Sequence, residues 1–152
     1  MPLNFAAETE VSQAQSRVEI EHLFSKVGAK RFGFIHDEDE SQIAFEVGER
    51  RYRFRVAIPD INHPYVAQQP GGKPRPHHMR EVVRERLARI RWRTLALGIK
   101  ARLAEVEVGV TTMEAAFLAE TLLPSGRTVA EETSATIALA YRGREVPLLP
   151  SA

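Results

Sequence analysis

Three groups of residues in this chain have types that could do chemistry. The first is the run His36-Asp37-Glu38-Asp39-Glu40, an imidazole followed by consecutive carboxylates. Clustered carboxylate oxygens suit a hard cation such as magnesium or calcium. The run lacks the glycine and the distal glutamate of a calcium loop, and an exposed acidic hairpin turn accounts for it equally well. The second group is His63 with the pair His77-His78. Imidazoles bind transition metals, but neighbours on a helix point about 100° apart and chelate poorly together. The third, Pro70-Gly71-Gly72-Lys73, lacks the spacing and the following Ser or Thr of a Walker phosphate loop. There is no cysteine, no Gly-x-Ser-x-Gly elbow and no His-x-x-Glu-His pattern for nucleophilic or metal-assisted catalysis. No metal, cofactor or catalytic residue is expected. An enzyme whose site is assembled at the acidic hairpin is the third-ranked reading.

The arginines form the one chemical pattern with a mechanism. Between Lys73 and Arg102 lie Lys73, Arg75, Arg80, Arg84, Arg86, Arg89, Arg91, Arg93, Lys100 and Arg102 against only Glu81 and Glu85. The whole chain holds 21 basic and 20 acidic residues, so this segment is +8 and the remainder −7. Such a split suggests a basic face aimed at an anionic partner, or a helix that pairs with acidic surfaces in its own fold. On a helix, Arg86, Arg89, Arg93 and Lys100 share one ridge, spaced to meet successive phosphates. Arg51, Arg53 and Arg55 present guanidinium groups from one face of a strand and would extend the same field if the two surfaces are contiguous.

A chain of 152 residues with 43% hydrophobic and 27% charged residues has the make-up of one globular domain. The absence of cysteine excludes disulfides and fits a reducing compartment. No stretch approaches the ~20 apolar residues needed to span a bilayer, and the first ten residues lack a signal peptide's pattern. A cytoplasmic location without membrane association is therefore expected.

These residues must be positioned by an α+β fold. Residues 1–8 are expected as a loose start. A helix follows from Thr9 to Gly28, with Val11, Val18, Ile20, Leu23, Phe24 and Val27 as its apolar face. The pattern then changes to period two. Arg31–Ile35, Gln42–Val47 and Arg51–Ile58 predict a three-stranded antiparallel meander, with Tyr52, Phe54, Val56 and Ile58 on one face. Residues 60–76, rich in Pro and Gly, predict a mobile loop inside a single domain spanning 1–152. His77–Glu107 predicts a long helix with two apolar stripes. One runs Ala88, Trp92, Leu95, Ile99, Leu103 and Val106; the other Val83, Leu87, Ile90, Leu97 and Ala101. That helix should be gripped by the sheet on one side and another helix on the other. Two shorter helices are expected: one capped by Thr111 and running to Glu120, the other from Thr128 to Tyr141. The tail, with Leu148 and Leu149, should tuck against the body. The order of elements resembles the core of double-stranded-RNA-binding domains and, more loosely, of phage single-strand annealing proteins.

Residues 90–150 also resemble a family of short uncharacterised proteins encoded by actinobacterial phages and prophages. The shared features are RWRTLALGIKARLAE, the Thr-x-x-Glu-x-x-FLA-like segment, LPSGRTV and the AYRGREVPLLP tail. That resemblance implies a mobile-element origin and a bacterial cytoplasm, and supplies no catalytic residue. The leading expectation is an accessory protein that binds nucleic-acid backbone through the basic helix face without catalysis. The alternative is a protein-binding modulator that docks on an acidic surface of a host enzyme.

Overall fold

The computed structural model of the chain describes residues 9–149; the expectation for residues 1–8 lies outside them. The fold is α+β. Helix α1 (Gln13–Lys26) leads into a meander of β1 (Arg31–His36), β2 (Glu40–Val47) and β3 (Arg50–Ala57), in the spatial order β1-β2-β3. A single helical turn α2 (Pro64–Ala67), the long helix α3 (His77–Glu107), a short turn α4 (Met113–Ala116) and α5 (Val129–Tyr141) follow.

Local chemistry sets the boundaries. Ser12 starts α1 with a reciprocal cap: its Oγ accepts from the Gln15 N–H at 3.1 Å, and Gln15 Oε1 accepts from the Ser12 N–H at 3.0 Å. The helix therefore begins at Gln13 rather than at Thr9, whose hydroxyl instead accepts from the Val11 N–H. Gly28, at φ +89°, supplies the left-handed residue that ends it. Val18 and Val27, expected on the buried face, are exposed, and Ile20 and Phe24 carry the burial.

The alternation in β2 and β3 buries Ile43, Phe45, Tyr52, Phe54 and Val56 on one sheet face. Both α1 and α3 cover that face, side by side and running in the same direction. Arg17 of α1 lies over Phe34, Glu19 pairs with Arg93, and Leu23 and Val27 share an apolar depression with Lys100 and Leu103. The long helix is thus held from two sides, as its two stripes predict. Ala88, Trp92, Ala96, Ile99 and Leu103 are buried, and the second stripe is partly buried except for exposed Ala101.

The core closes on aromatic rings. Phe24 stacks on Phe45 at 4.2 Å and meets Phe54 and Phe117 at 5.8 and 5.5 Å. Phe117 in turn meets Tyr52 and Phe54 edge-on at 6.0 and 5.9 Å. Each such side chain contributes about 1.5–3 kcal/mol through burial. The Arg102 guanidinium sits 4.5 Å over the Phe117 ring and bonds Glu120 at 2.7 Å, closing this end of the core.

Burial raises the Tyr52 phenol above its ordinary value, and Glu114 adds to the rise while Arg50 opposes it. The folded state therefore favours the neutral phenol. This contribution is intact below the unfolded phenol's pKa of about 10. It is lost as pH rises through the folded value. Alkaline denaturation should steepen above pH ~10 in the wild type and flatten in Tyr52→Phe. Equal alkaline limbs for the two proteins would count against this role.

Three segments differ from expectation. Residues 60–76 hold the helical turn α2, a bridge between Gln68 and Pro74, and a fully buried Val66. A single apolar side chain pinned beneath α3 orders what the Pro and Gly content suggested was loose. Thr112, not Thr111, caps α4, accepting from the Ala115 N–H, and the helix stops at Ala116 instead of Glu120. The chain then turns to lay residues 120–122 along β3: the Arg53 N–H donates to Glu120 O, and the Leu122 N–H to Arg51 O. Finally, Leu148 and Leu149 are 97% and 76% exposed, so the tail is not tucked against the body.

Candidate interaction surfaces

The seven cations expected to carry binding fall on two different sides of the molecule. Arg51, Arg53 and Arg55 face away from the core, because Tyr52, Phe54 and Val56 between them face into it. Arg86, Arg89, Arg93 and Lys100 lie on α3, over the opposite sheet face. The two sets do not form one continuous field on a single face.

Most of these arginines also meet carboxylates of their own chain. On the outer sheet face Arg51 pairs with Glu46 at 2.9 Å and Arg53 with Glu131 at 2.8 Å. Arg55 lies 3.4 Å from Glu131 and 3.8 Å from Glu40. The pairing of Glu46 opposite Arg51 follows from the β2–β3 register, and such cross-strand opposites contribute about 0.2–1 kcal/mol each. The carboxylate of Glu131 is held below its ordinary range, first by the Thr128 backbone N–H and then by Arg53 and Arg55. On α3, Arg89 pairs with Glu85 one turn back, and Arg93 with Glu19 of α1. Arg86 and Lys100 are exposed.

Three further arginines of α3, Arg80, Arg84 and Arg91, are structural. Arg84 donates to the carbonyl oxygens of Pro59 and Glu38, Arg91 to that of Ala57, and Arg80 to that of Arg75. These guanidiniums fasten the helix to the ends of the strands and to the loop. The basic excess of this segment thus serves the fold to a large extent.

The acidic run is a tight turn at the β1–β2 hairpin. Asp37 Oδ1 accepts from the N–H groups of Asp39 and Glu40, and Asp39 also lies 3.4 Å from Arg84. Among the described residues no group of three or more His, Asp or Glu side chains is gathered closely enough to hold a metal ion. His63 caps α2 by accepting from the Tyr65 N–H, and His77 and His78 are exposed at the start of α3.

One polar pair escapes sequence reading. The β1–β2 register sets His36 opposite Ser41, and His36 Nδ1 lies 2.7 Å from Ser41 Oγ. A serine on an imidazole has the outline of a nucleophile with its base. Here Ser41 is only 1% exposed, in a depression it shares with Phe34, His36 and Trp92, which leaves its hydroxyl little access to a substrate carbonyl. The pair satisfies a buried hydroxyl.

The least accounted-for surface is the C-terminal arm. Thr128 caps α5 by accepting from the Glu131 N–H, while Glu131 accepts from Thr128 N and from Arg53. That first turn is anchored; the rest is not. Every residue from Ser134 to Leu149 is exposed, and Thr133 to Tyr141 carries no charge. Ile137, Leu139, Tyr141, Leu148 and Leu149 all face solvent. Ile137 and Tyr141 share one side, and Leu139 projects from the other. A helix apolar on both sides is built to be enclosed rather than to lie on a flat surface.

Among the described residues, no helix is long and apolar enough to cross a membrane. No protein-family model, curated protein or solved structure matches this chain.

Proposed function

We propose that this is a non-catalytic protein-binding module that inserts its C-terminal arm, α5 and the residues after it, into an apolar groove of a different protein. The observation that carries this reading is the uncharged helical run from Thr133 to Tyr141, exposed at every residue from Ser134 onward. A helix of this length is marginal alone in water, and exposed apolar surface of this kind marks interaction sites on soluble proteins. The contact is a helix-in-groove interaction. It is apolar, and so differs from the charge-led docking on an acidic surface that the sequence offers as the alternative to nucleic-acid binding. The phage or mobile-element setting belongs to this proposal as the context in which a small protein would modulate a larger machine.

A photo-reactive residue placed at Leu139 should crosslink one discrete foreign protein in expressing cells, and the same residue at Ala104 should not. Identical adduct patterns at both positions, or none at Leu139, would rule the arm out.

A second reading keeps nucleic acid as the partner of the α3 ridge. It is favoured by Arg86, Lys100 and nearby Lys26, which are exposed, and by the weakness of surface ion pairs, about 0–1 kcal/mol each, which a phosphate can displace. Affinity would then fall with salt at a log–log slope of about −0.7 to −0.9 per contact. Arg89→Gln with Arg93→Gln should flatten that slope by about one to two units while leaving the fold intact. Wild-type protein that binds neither DNA nor RNA at low salt ends this reading and leaves the arm as the working surface.

A further inference from the structure

The two edges of the sheet are treated differently. On the β3 side, the segment 120–122 pairs with Arg51 and Arg53, and Arg91 donates to Ala57 O. That edge is closed at both ends. On the β1 side all six residues, Arg31 to His36, are exposed. Asp37 N donates to Glu40 O at 3.0 Å, so the alternation of an antiparallel ladder turns the N–H and C=O groups of Arg31, Gly33 and Ile35 toward β2. Those of Phe32, Phe34 and His36 point outward, with no partner among the described residues. The strand has no proline and no lysine, two of the devices that guard an edge against pairing.

We propose that β1 pairs antiparallel with β1 of a second copy of this chain, about a two-fold axis at Phe34, to give a continuous six-stranded sheet. The pairing goes beyond the arm reading and uses none of its residues. It is self-complementary, as a two-fold contact must be. Phe34 faces the second copy's Phe34, and Phe32 faces His36. Ile35, 62% exposed, faces Gly33, where an added Cβ would meet nothing nearer than Ala44 at 3.9 Å. Arg31, with a side chain 74% exposed and its Glu46 partner as far as 3.9 Å, faces Asp37. The charges thus select another β1 in reverse rather than an arbitrary strand. Above the seam, Arg17 lies 4.3 Å over Phe34 and therefore close to the two-fold, with Glu21 of its own helix 3.8 Å away to offset its charge.

The test uses the full chain. Sedimentation equilibrium should show a reversible dimer, and Arg31→Asp, which opposes two carboxylates, should weaken it by about tenfold or more. Phe34→Cys gives a clean crosslink because the chain has no cysteine of its own. In a hydrogen-bonded antiparallel pair the two Cα atoms sit about 5.5 Å apart, within disulfide range. Mild oxidation should therefore yield covalent dimer from Phe34→Cys and not from Tyr65→Cys, a surface control. A monomer at ~100 µM, well above the range of a specific complex, would overturn the proposal. So would equal crosslinking of both variants. A dimer indifferent to Arg31→Asp but lost when Leu139 and Tyr141 become Ser would place self-association in the arm and overturn the β1 pairing.

Discussion

Replacing Trp92 by Ala is expected to destabilise the fold by about 3–5 kcal/mol. The indole is 2% exposed, in the middle of α3, with Phe34 at 6.3 Å and Ser41 beneath it. Its removal leaves a cavity where the long helix, the first helix and the hairpin end meet. For a domain of this size each kcal/mol shifts the melting temperature by roughly 2–4 °C, so the drop should be about 6–20 °C. Urea unfolding should show a lower midpoint with an unchanged slope. A Trp92→Ala protein that melts with the wild type would mean that the core is not organised around α3.

Phe117→Ala should cost about the same, 3–5 kcal/mol, with a further local signature. Phe117 is fully buried and joins Phe24, Tyr52 and Phe54 in one ring cluster beneath Arg102. It is also the anchor that lets residues 120–122 lie along β3. Without it, the bond from Arg53 N to Glu120 O should open, and the Arg53 amide should exchange its hydrogen faster relative to the Phe54 amide, whose partner is within the sheet. Uniform loosening of both amides would show that Phe117 supports the core but does not position this segment.

The sequence makes some of this architecture legible because the relevant forces are local. Alternation in RYRFRVA fixes a strand with one buried face, since a slip of one residue would turn every ring outward. The two stripes of α3 fix a helix held from two sides. The start of α1 is less legible because Ser12 and Thr9 are both capping residues, and only the reciprocal bond with Gln15 selects Ser12. Val66 could not be foreseen as buried, since one apolar residue among prolines and glycines has no period.

Long-range charge is the main thing hidden. A run of arginines on one helix looks like an anion-binding face until the carboxylates of Glu19 and Asp39 arrive from other elements, as they do at Arg93 and Arg84. Glu131 is seventy-eight residues from Arg53, yet the two bond at 2.8 Å. The arm illustrates the opposite failure. Its helix is legible from Thr128 to Tyr141, but apolar residues are expected to go inside, and nothing in the order of residues says that Leu139 and Leu148 have no inside to enter.

An arm that serves a partner and not the body of its own chain can lose its apolar side chains without loss of stability, which thermal unfolding of an Ile137→Ser, Leu139→Ser, Tyr141→Ser triple variant measures. Substitutions at exposed positions that support nothing change stability by only about ±0.5 kcal/mol each. The melting temperature is expected within a few degrees of the wild type, together with loss of the Leu139-region crosslink when the probe is moved to Ala138. A fall comparable to that of Trp92→Ala would show instead that these side chains are packed in the folded monomer and that the arm belongs to the body of its own chain.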